Sequence, residues 1–333
     1  MREVAQRAGV AMSSVSRVLS NHPDVSERMR MAVMEAVDDL GYVPDMLAQG
    51  MRRQKTFSVG FVVSDLANPV LASAITGAEN RLRAAGYSML LTNSEGEDEF
   101  DAAHIGLLAQ RRVDGLLLSP TNEHYPDTVR ALRRTDVPMV LIDRDIPDGI
   151  SARHVSFDHR SGMASAARHL LELGHRDVAL IIAGPTRPLR ERREGIESTL
   201  RAAGARCTVY ERPFSIEYGV RATREILERA ERPTAIVTGG NLVMHGSLRA
   251  LREAGVSVGP ELSFIGCDDV AVAEFHDPPI AIVRRDTRLI GTVAAQLLLA
   301  DLDGSDRASE DDIPTVLPTE FLPRSSCAPP PRP

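Results

Sequence analysis

The sequence predicts a small all-α helix-turn-helix headpiece followed by an α/β domain of two doubly wound parallel-sheet lobes. Three observations predict it. At the N-terminus two short helical patterns meet at Gly9. From Phe57 onward, short runs rich in Val, Ile and Leu alternate with helical stretches. That alternation then runs through a second time, from His154 to Asp269.

The headpiece comes first. Val4, Ala5 and Ala8 fall on one face of the first helical pattern, and Val15, Val18 and Leu19 on one face of the second, with Gly9-Val10-Ala11 as the break. Two apolar faces joined by a short glycine turn make a helix-turn-helix. Opposite Val15 and Val18 the second helix presents Ser13, Ser16, Arg17 and Ser20. A short helix showing hydroxyls and one arginine can enter a DNA major groove. Met1 stands almost at the start of the first helix. Either translation begins further upstream or that helix lacks a capping side chain, at a cost of about 1 kcal/mol. Ser26 is the expected N-cap of a third helix, whose stripe Met29, Ala32, Val33, Ala36, Val37 and Leu40 completes the core, and Gly41 ends it.

A hinge segment follows at 44–56. Pro44 suits a helix start, Met46 to Met51 can continue it, and Gly50 weakens it by about 1 kcal/mol. Arg52, Arg53 and Lys55 add sequence-independent phosphate attraction. A plain linker is the alternative reading.

From 57 to 323 the strands read VGFVV, SMLLT, GLLLS and MVLID, then HVSFD, DVALIIAG, CTVYERP, AIVTG and LSFIGCDD, with helices between them. Such runs imply parallel strands buried on both faces. Two rounds imply two similar lobes. Ligands of these sheets bind outside the carboxyl ends of the strands. There the sequence places Asp65 and Asn68, Ser119, Asp143, Phe157, Asn241 and Asp268. A helix over 288–302 is expected to pack on the first lobe, and TVLPTEFLP to close the domain as a final strand. The tail 324–333 is Pro-rich and is expected to be disordered.

Composition bounds the function. The chain of 333 residues holds 43% hydrophobic residues, so a sizeable core is possible, and it has no Trp. No apolar run nears membrane-spanning length and no secretory leader is evident, which predicts a cytoplasmic protein without a membrane partner. Cys207, Cys267 and Cys327 are far apart and suggest neither a disulfide framework nor a metal site. Net charge is −7, yet residues 1–56 carry eight Lys+Arg and seven Asp+Glu, so +1, leaving −8 for the rest. That is a weak basic footprint for a DNA-binding segment. No nucleophile motif, Walker loop or zinc motif appears, so an enzyme is not expected, nor any cofactor.

The stretches VAQRAGV (4–10), SSVSRVLSN (13–21), VSERMRMAVMEAVDDLGYVP (25–44), VGFVVSDLANP (59–69), HLLELGHRDVALIIAGP (169–185) and LRALREAGVSVGPELSFIGCDD (248–269) resemble the lac-repressor/galactose-repressor (LacI) family of bacterial transcription regulators. The resemblance runs along nearly the whole chain. It implies a homodimer on double-stranded operator DNA, and lobes arranged as a clamshell like the periplasmic sugar-binding proteins. A small effector, a sugar or sugar derivative, would lie between them. By resemblance Met12, Ser13 and Arg17 read base edges, Arg17 with a bidentate contact to guanine as the leading case. Arg17 as a phosphate clamp and Met12 as packing remain open. The resemblance makes Met51 the apolar wedge of a hinge helix in the minor groove. It also assigns Asp143, Arg192 and Asp268 to effector contacts, with caps or inter-lobe salt bridges as the alternative.

The chain departs from the family pattern in places. Ala11 replaces a capping Ser or Thr, and Asp45 replaces a frequent asparagine. Gly240-Asn241 replaces Asn-Asp, removing a common effector donor. Val70-Leu71 replaces an aromatic pair and cannot stack flat on a ring, which speaks against a purine. Arg285 replaces a frequent glutamine. Facing the cleft it favours an anionic ligand, and the alternative is an outward salt bridge. A transport-type solute-binding protein, or a regulator with no effector, are the competing functions.

Overall fold

The computed structural model describes residues 1–19, 22–42, 55–184, 186–211, 214–304 and 315–331. The expectations for Ser20 and for residues 44–54 of the hinge, with Met51 and Arg52, lie outside these residues.

The chain divides into two compact units, Met1–Phe57 and Ser58–Pro333. In the first, α1 (Arg2–Ala8), α2 (Met12–Leu19) and α3 (Glu27–Asp39) enclose Val4, Ala5, Val15, Val18, Val33 and Ala36. Gly9 ends α1 in the left-handed region at φ 65°, which glycine enters without a Cβ clash, and its turn bonds back to Ala5 and Gln6. No side chain caps α1 at Met1. Ser26 caps α3 by accepting from Met29 N. An Arg7–Asp39 ion pair of 2.6 Å ties α1 to α3 on the surface.

The second unit holds two sheets of like order. In lobe 1, β1 (Ser58–Val63), β2 (Ser88–Asn93), β3 (Gly115–Ser119), β4 (Met139–Ile142) and β5 (Arg153–Phe157) lie in the order β2-β1-β3-β4-β5. In lobe 2, β6 (Asp177–Ile182), β7 (Arg206–Glu211), β8 (Ala235–Thr238), β9 (Ser263–Cys267) and β10 (Ala281–Arg285) repeat it as β7-β6-β8-β9-β10. All these pairs are parallel. The helices between strands are α4 (Pro69–Ala84), α5 (Asp98–Gln110), α6 (Pro126–Arg133), α7 (His159–Glu172), α8 (Arg187–Ala202), α9 (Ile216–Leu227), α10 (Asn241–Glu253) and α11 (Ala271–Phe275). β10 was not among the expected strands, because Arg284 and Arg285 interrupt its apolar run.

The final segment differs from the single closing strand expected. Residues before Pro318 form β11 (Val316–Leu317), parallel to β5 in lobe 1. Those after it form β12 (Thr319–Leu322), antiparallel to β10 in lobe 2. Proline cannot donate to a ladder, so the break falls there. The chain therefore passes between lobes at 157–159, 285–287 and 317–319. α12 (Thr287–Asp303) packs on lobe 1 as expected, and a Cβ at Gly291 would stand 1.8 Å from Ala74 O of α4. That backbone contact admits only glycine.

The tail is not disordered over 324–331. Ser326 is fully buried, donates from Oγ to Phe264 O (2.6 Å) and accepts from Ala281 N (2.8 Å). Phe264 N donates to Ser326 O, and Ala328 N to Ser263 Oγ. His175 Nε2 lies 2.9 Å from Ala328 O. The prolines follow this bonded stretch, so composition misled where backbone pairing decides. Among the described residues no helix is long and apolar enough to cross a membrane.

Candidate functional site

On the headpiece, Val15 and Val18 pin α2 to the core while Met12, Ser13 and Arg17 stand exposed and Ser16 is half-buried. Of the face read from the sequence, Ser13, Ser16 and Arg17 are among the described residues, with Met12 beside them. Ala11 accepts the first backbone bonds of α2, from Ser14 N and Val15 N, but offers no capping side chain.

The second unit has a cavity of about 430 Å³ at the carboxyl ends of both sheets. Asp65, Asn68, Val70, Ser119, Asp143 and Phe157 line it from lobe 1, and Arg192, Asn241, Asp268 and Arg285 from lobe 2. All ten residues singled out in the sequence therefore meet there. This volume suits a small metabolite.

Its floor is a closed set of charges. Asp143 and Asp268 each follow the fourth strand of their lobe, and each has positive φ (55° and 79°). Each also donates its amide to the fifth strand, at Val155 O and Val283 O. Such backbone strain in a non-glycine residue persists where the surroundings fix it. Arg285 bridges the two carboxylates, donating from Nη1 to Asp143 Oδ2 (2.7 Å) and from Nε to Asp268 Oδ1 (2.8 Å). Its guanidinium also lies over the Phe157 ring, 5.2 Å from the centroid. Arg192 donates from Nη1 to Gly239 O (2.6 Å) and from Nε to His159 Nδ1 (3.3 Å). Its Nη2 is buried without a hydrogen-bond partner.

His159 was missed in the sequence. It is 1% exposed, and its Nε2 sits 2.9 Å and 3.0 Å from the two oxygens of Asp143. Because Arg192 Nε–H points at Nδ1, Nδ1 is the bare nitrogen and Nε2–H donates to Asp143. Burial, with Arg192 and Arg285 nearby, pushes the imidazole down to about 4 despite the opposing pull of Asp143, so it is neutral at pH 7. Burial would raise the Asp143 carboxyl, but His159, Arg285 and Arg192 override it and hold Asp143 well below the usual range. Asp268 is lowered likewise: burial opposes, and Arg285 and Arg192 prevail. With His159 neutral, two carboxylates balance two guanidiniums. Arg285 thus follows neither sequence reading: it faces inward, but its charge is engaged by Asp143 and Asp268 and offers no anion site.

Further contacts join the lobes across the cleft. Asn241 Nδ2 donates to Asn68 Oδ1 (3.0 Å), which also caps α4 through Val70 N. Glu123, fully buried in lobe 1, accepts at Oε1 from Asp145 N and from Arg187 N at the start of α8 in lobe 2. Arg190 of α8 pairs with Asp145. Among the described residues Glu123, His124 and Asp145 alone have the types and spacing of a metal site. Arg144, Arg187 and Arg190 already surround those carboxylates, which opposes a further cation.

The aromatic surface that Val70-Leu71 lacks comes from the other lobe. Phe214, not foreseen in the sequence, lines the cavity between β7 and α9.

Comparison with known proteins places these features. Residues 1–45 match the profile of bacterial regulatory proteins of the lacI family, and residues 167–327 that of the periplasmic binding protein-like domain. The chain is 32% identical to the ribose operon repressor of Escherichia coli strain K12 over 304 residues, covering 90% of this chain and 92% of that protein. Among solved structures it is similar to the lac repressor dimer bound to operator and the anti-inducer ONPF, with TM-score 0.83, 26% identity and 98% of each chain covered. A transcriptional regulator CelR–cellobiose complex matches at 33% identity and TM-score 0.70, over 97% of this chain and 98% of that one.

Proposed function

The chain belongs to the lacI family of bacterial regulatory proteins, DNA-binding repressors controlled by small molecules, and we propose that its effector is a neutral sugar or sugar derivative bound between the lobes. The observation that carries the proposal is the charge-balanced floor of Asp143, His159, Arg192, Asp268 and Arg285 beneath a cavity of metabolite size. Carboxylates accept hydroxyl protons and guanidiniums donate a planar fork, which suits a polyol. Balanced charge gives no advantage to a phosphate or a sugar acid. Two relatives agree in kind, one named for the ribose operon and another complexed with cellobiose, while others of similar identity bear the name PurR.

In this reading α2 enters the major groove, with Arg17 and Ser13 at base edges, Met12 beside them and Ser16 at the margin. Met51 and Arg52 of the hinge act in the minor groove and on phosphates. The protein works in the cytoplasm as a homodimer, because two half-sites need two reading heads. A ligand that favours one lobe angle shifts the population of that state and so changes operator affinity.

A thermal-shift screen of the full chain against neutral sugars, sugar phosphates, sugar acids and nucleobases tests the effector. At 100 times its dissociation constant a ligand stabilises the fold by about 2.7 kcal/mol. The proposal expects hits among neutral sugars that Arg192→Ala abolishes, with DNA binding retained. Hits confined to phosphates or nucleobases contradict it.

A further inference from the structure

Sulfur is unevenly placed along this chain. Seven of its eleven methionines fall within residues 1–51. Of the described ones there, Met12, Met31 and Met34 are 49%, 62% and 43% exposed, while Met1 and Met29 pack on the headpiece core. In the second unit Met139, Met163 and Met244 are buried and Met89 is half-buried. The cysteines compete poorly for an oxidant. Burial pushes the thiols of Cys267 and Cys327 up to about 11, and burial with Glu197 nearby pushes Cys207 up to about 12. They stay protonated at pH 7, and the thiolate is the reactive form. A thioether needs no deprotonation, so access to it decides its oxidation. Met12 differs from Met31 and Met34 in position. It opens α2, one helical turn before Ser16 and next to Ser13 on the exposed side, whereas the other two lie on α3.

We propose that Met12 is a reversible oxidation site: transfer of oxygen from a peroxide to its thioether puts a polar sulfoxide on the DNA-reading face of α2 and weakens operator recognition. The proposal rests on the reading that α2 enters the major groove. In the step a sulfur lone pair attacks one peroxide oxygen, an S–O bond forms and the O–O bond breaks. The sulfur is oxidised by two electrons, and hydrogen peroxide, reduced by the same two, leaves as water. The product changes what α2 offers to DNA. A thioether gives apolar contact, as to a thymine methyl. A sulfoxide accepts hydrogen bonds and donates none. Guanine, adenine and thymine present acceptors in the major groove, at N7, O6 and O4, and phosphate oxygens are acceptors too. The new oxygen thus meets like groups, or loses its water without replacement. The charge of α2 is unchanged, so attraction to phosphates persists. Methionine sulfoxide reductases return the thioether, which makes the change reversible.

Hydrogen peroxide treatment of the full-length protein tests this, read by peptide mass spectrometry and by anisotropy titration with an operator duplex selected from random DNA. Oxygen is expected on Met12 before Met139, Met163 and Met244. Operator affinity is expected to fall about tenfold, affinity for random DNA at low salt to persist, and methionine sulfoxide reductase to restore the operator affinity. When partly oxidised protein is separated on immobilised operator, the Met12 sulfoxide should be depleted from the bound fraction. Equal sulfoxide content in bound and unbound fractions overturns the proposal. Met12→Leu should abolish the peroxide response, taken as the ratio of its operator affinities before and after treatment, and the double variant Met31→Leu/Met34→Leu should keep it. A response that survives Met12→Leu and disappears in Met51→Leu overturns the assignment. Equal loss on operator and random DNA would place the damage in the headpiece core, at Met1 or Met29, and overturns it as well. If no duplex is selected at all, the DNA reading of α2 fails and the proposal with it. An operator bound equally well before and after oxidation of Met12 overturns the proposal alone.

Discussion

Asp143 and Asp268 hold the same place in two different sheets, and one guanidinium joins them. Each follows the fourth strand of its lobe with positive φ, and Arg285 donates to both. The repeated fold thus converges on a single cation at the point where the chain passes from lobe 2 back to lobe 1.

That arrangement predicts a large cost for removing the cation. Arg285→Ala leaves two buried carboxylates facing each other with Arg192 and a neutral His159. Breaking a buried pair in this way costs about 3–5 kcal/mol. Urea unfolding at pH 7 measures it; a loss below about 1 kcal/mol, the range of exposed pairs, contradicts the coupling.

The neutral state of His159 predicts a pH dependence. Its folded pKa of about 4 lies below the ordinary value of 6.5, so between these pH values the unfolded chain takes up a proton that the folded one refuses. Stability therefore falls as pH drops through that window, by up to about 1.4 kcal/mol per unit. Burial lowers His154 and His175 as well, so the wild-type slope is shared. His159→Gln should flatten it. Identical slopes in the two proteins would show that His159 titrates normally.

Glu123 predicts how the lobes are held together. Its carboxylate sits at the N-terminal end of α8, where the helix dipole favours negative charge, and it bonds to backbone amides of both lobes. Glu123→Ala should open the ligand-free protein, seen as a larger radius of gyration in small-angle scattering, with Glu123→Gln intermediate. An unchanged radius in Glu123→Ala counts against the latch.

Much of this was legible in the sequence, and the exceptions have physical reasons. The headpiece core and the alternation of strands and helices follow from local apolar patterns, which need no knowledge of distant contacts; the lobe boundary does not, for HVSFD, read as opening the second round, is β5 of lobe 1. Seven of the ten cleft residues could be named because strand ends in such sheets face the ligand, while Val70, Arg192 and Arg285 were named from the family resemblance. His159 could not, since nothing in its own neighbourhood marks it; the fold brings it to Asp143 across a helix start. The role of Arg285 was misread because its partners lie in two other strands. The tail looked disordered from its prolines, yet Ser326 pairs with the backbone of β9 and the amide of Ala281.

The tail supplies a further prediction. Ser326→Ala leaves Ala281 N without its buried acceptor, at about 1–3 kcal/mol, and leaves Phe264 O with only the weak Cys327 Sγ contact. Thermal denaturation should show this, and deletion of 324–333 should cost more. Wild-type stability in both variants would mean that the tail is detached in solution.

Arg17→Ala should lose about 1–3 kcal/mol of binding to a specific operator while leaving sugar binding intact. Equal loss on random DNA would instead make Arg17 a phosphate contact.

The central claim is that a sugar in the cleft sets DNA affinity. The most direct measurement is anisotropy titration of the full chain with an operator duplex selected from random DNA, with and without the sugar that gives the largest thermal shift. Coupling of the usual size changes operator affinity by about 5–150-fold, and the operator must change sugar affinity by the same factor. A sugar that binds the cleft and leaves operator affinity unchanged contradicts the account.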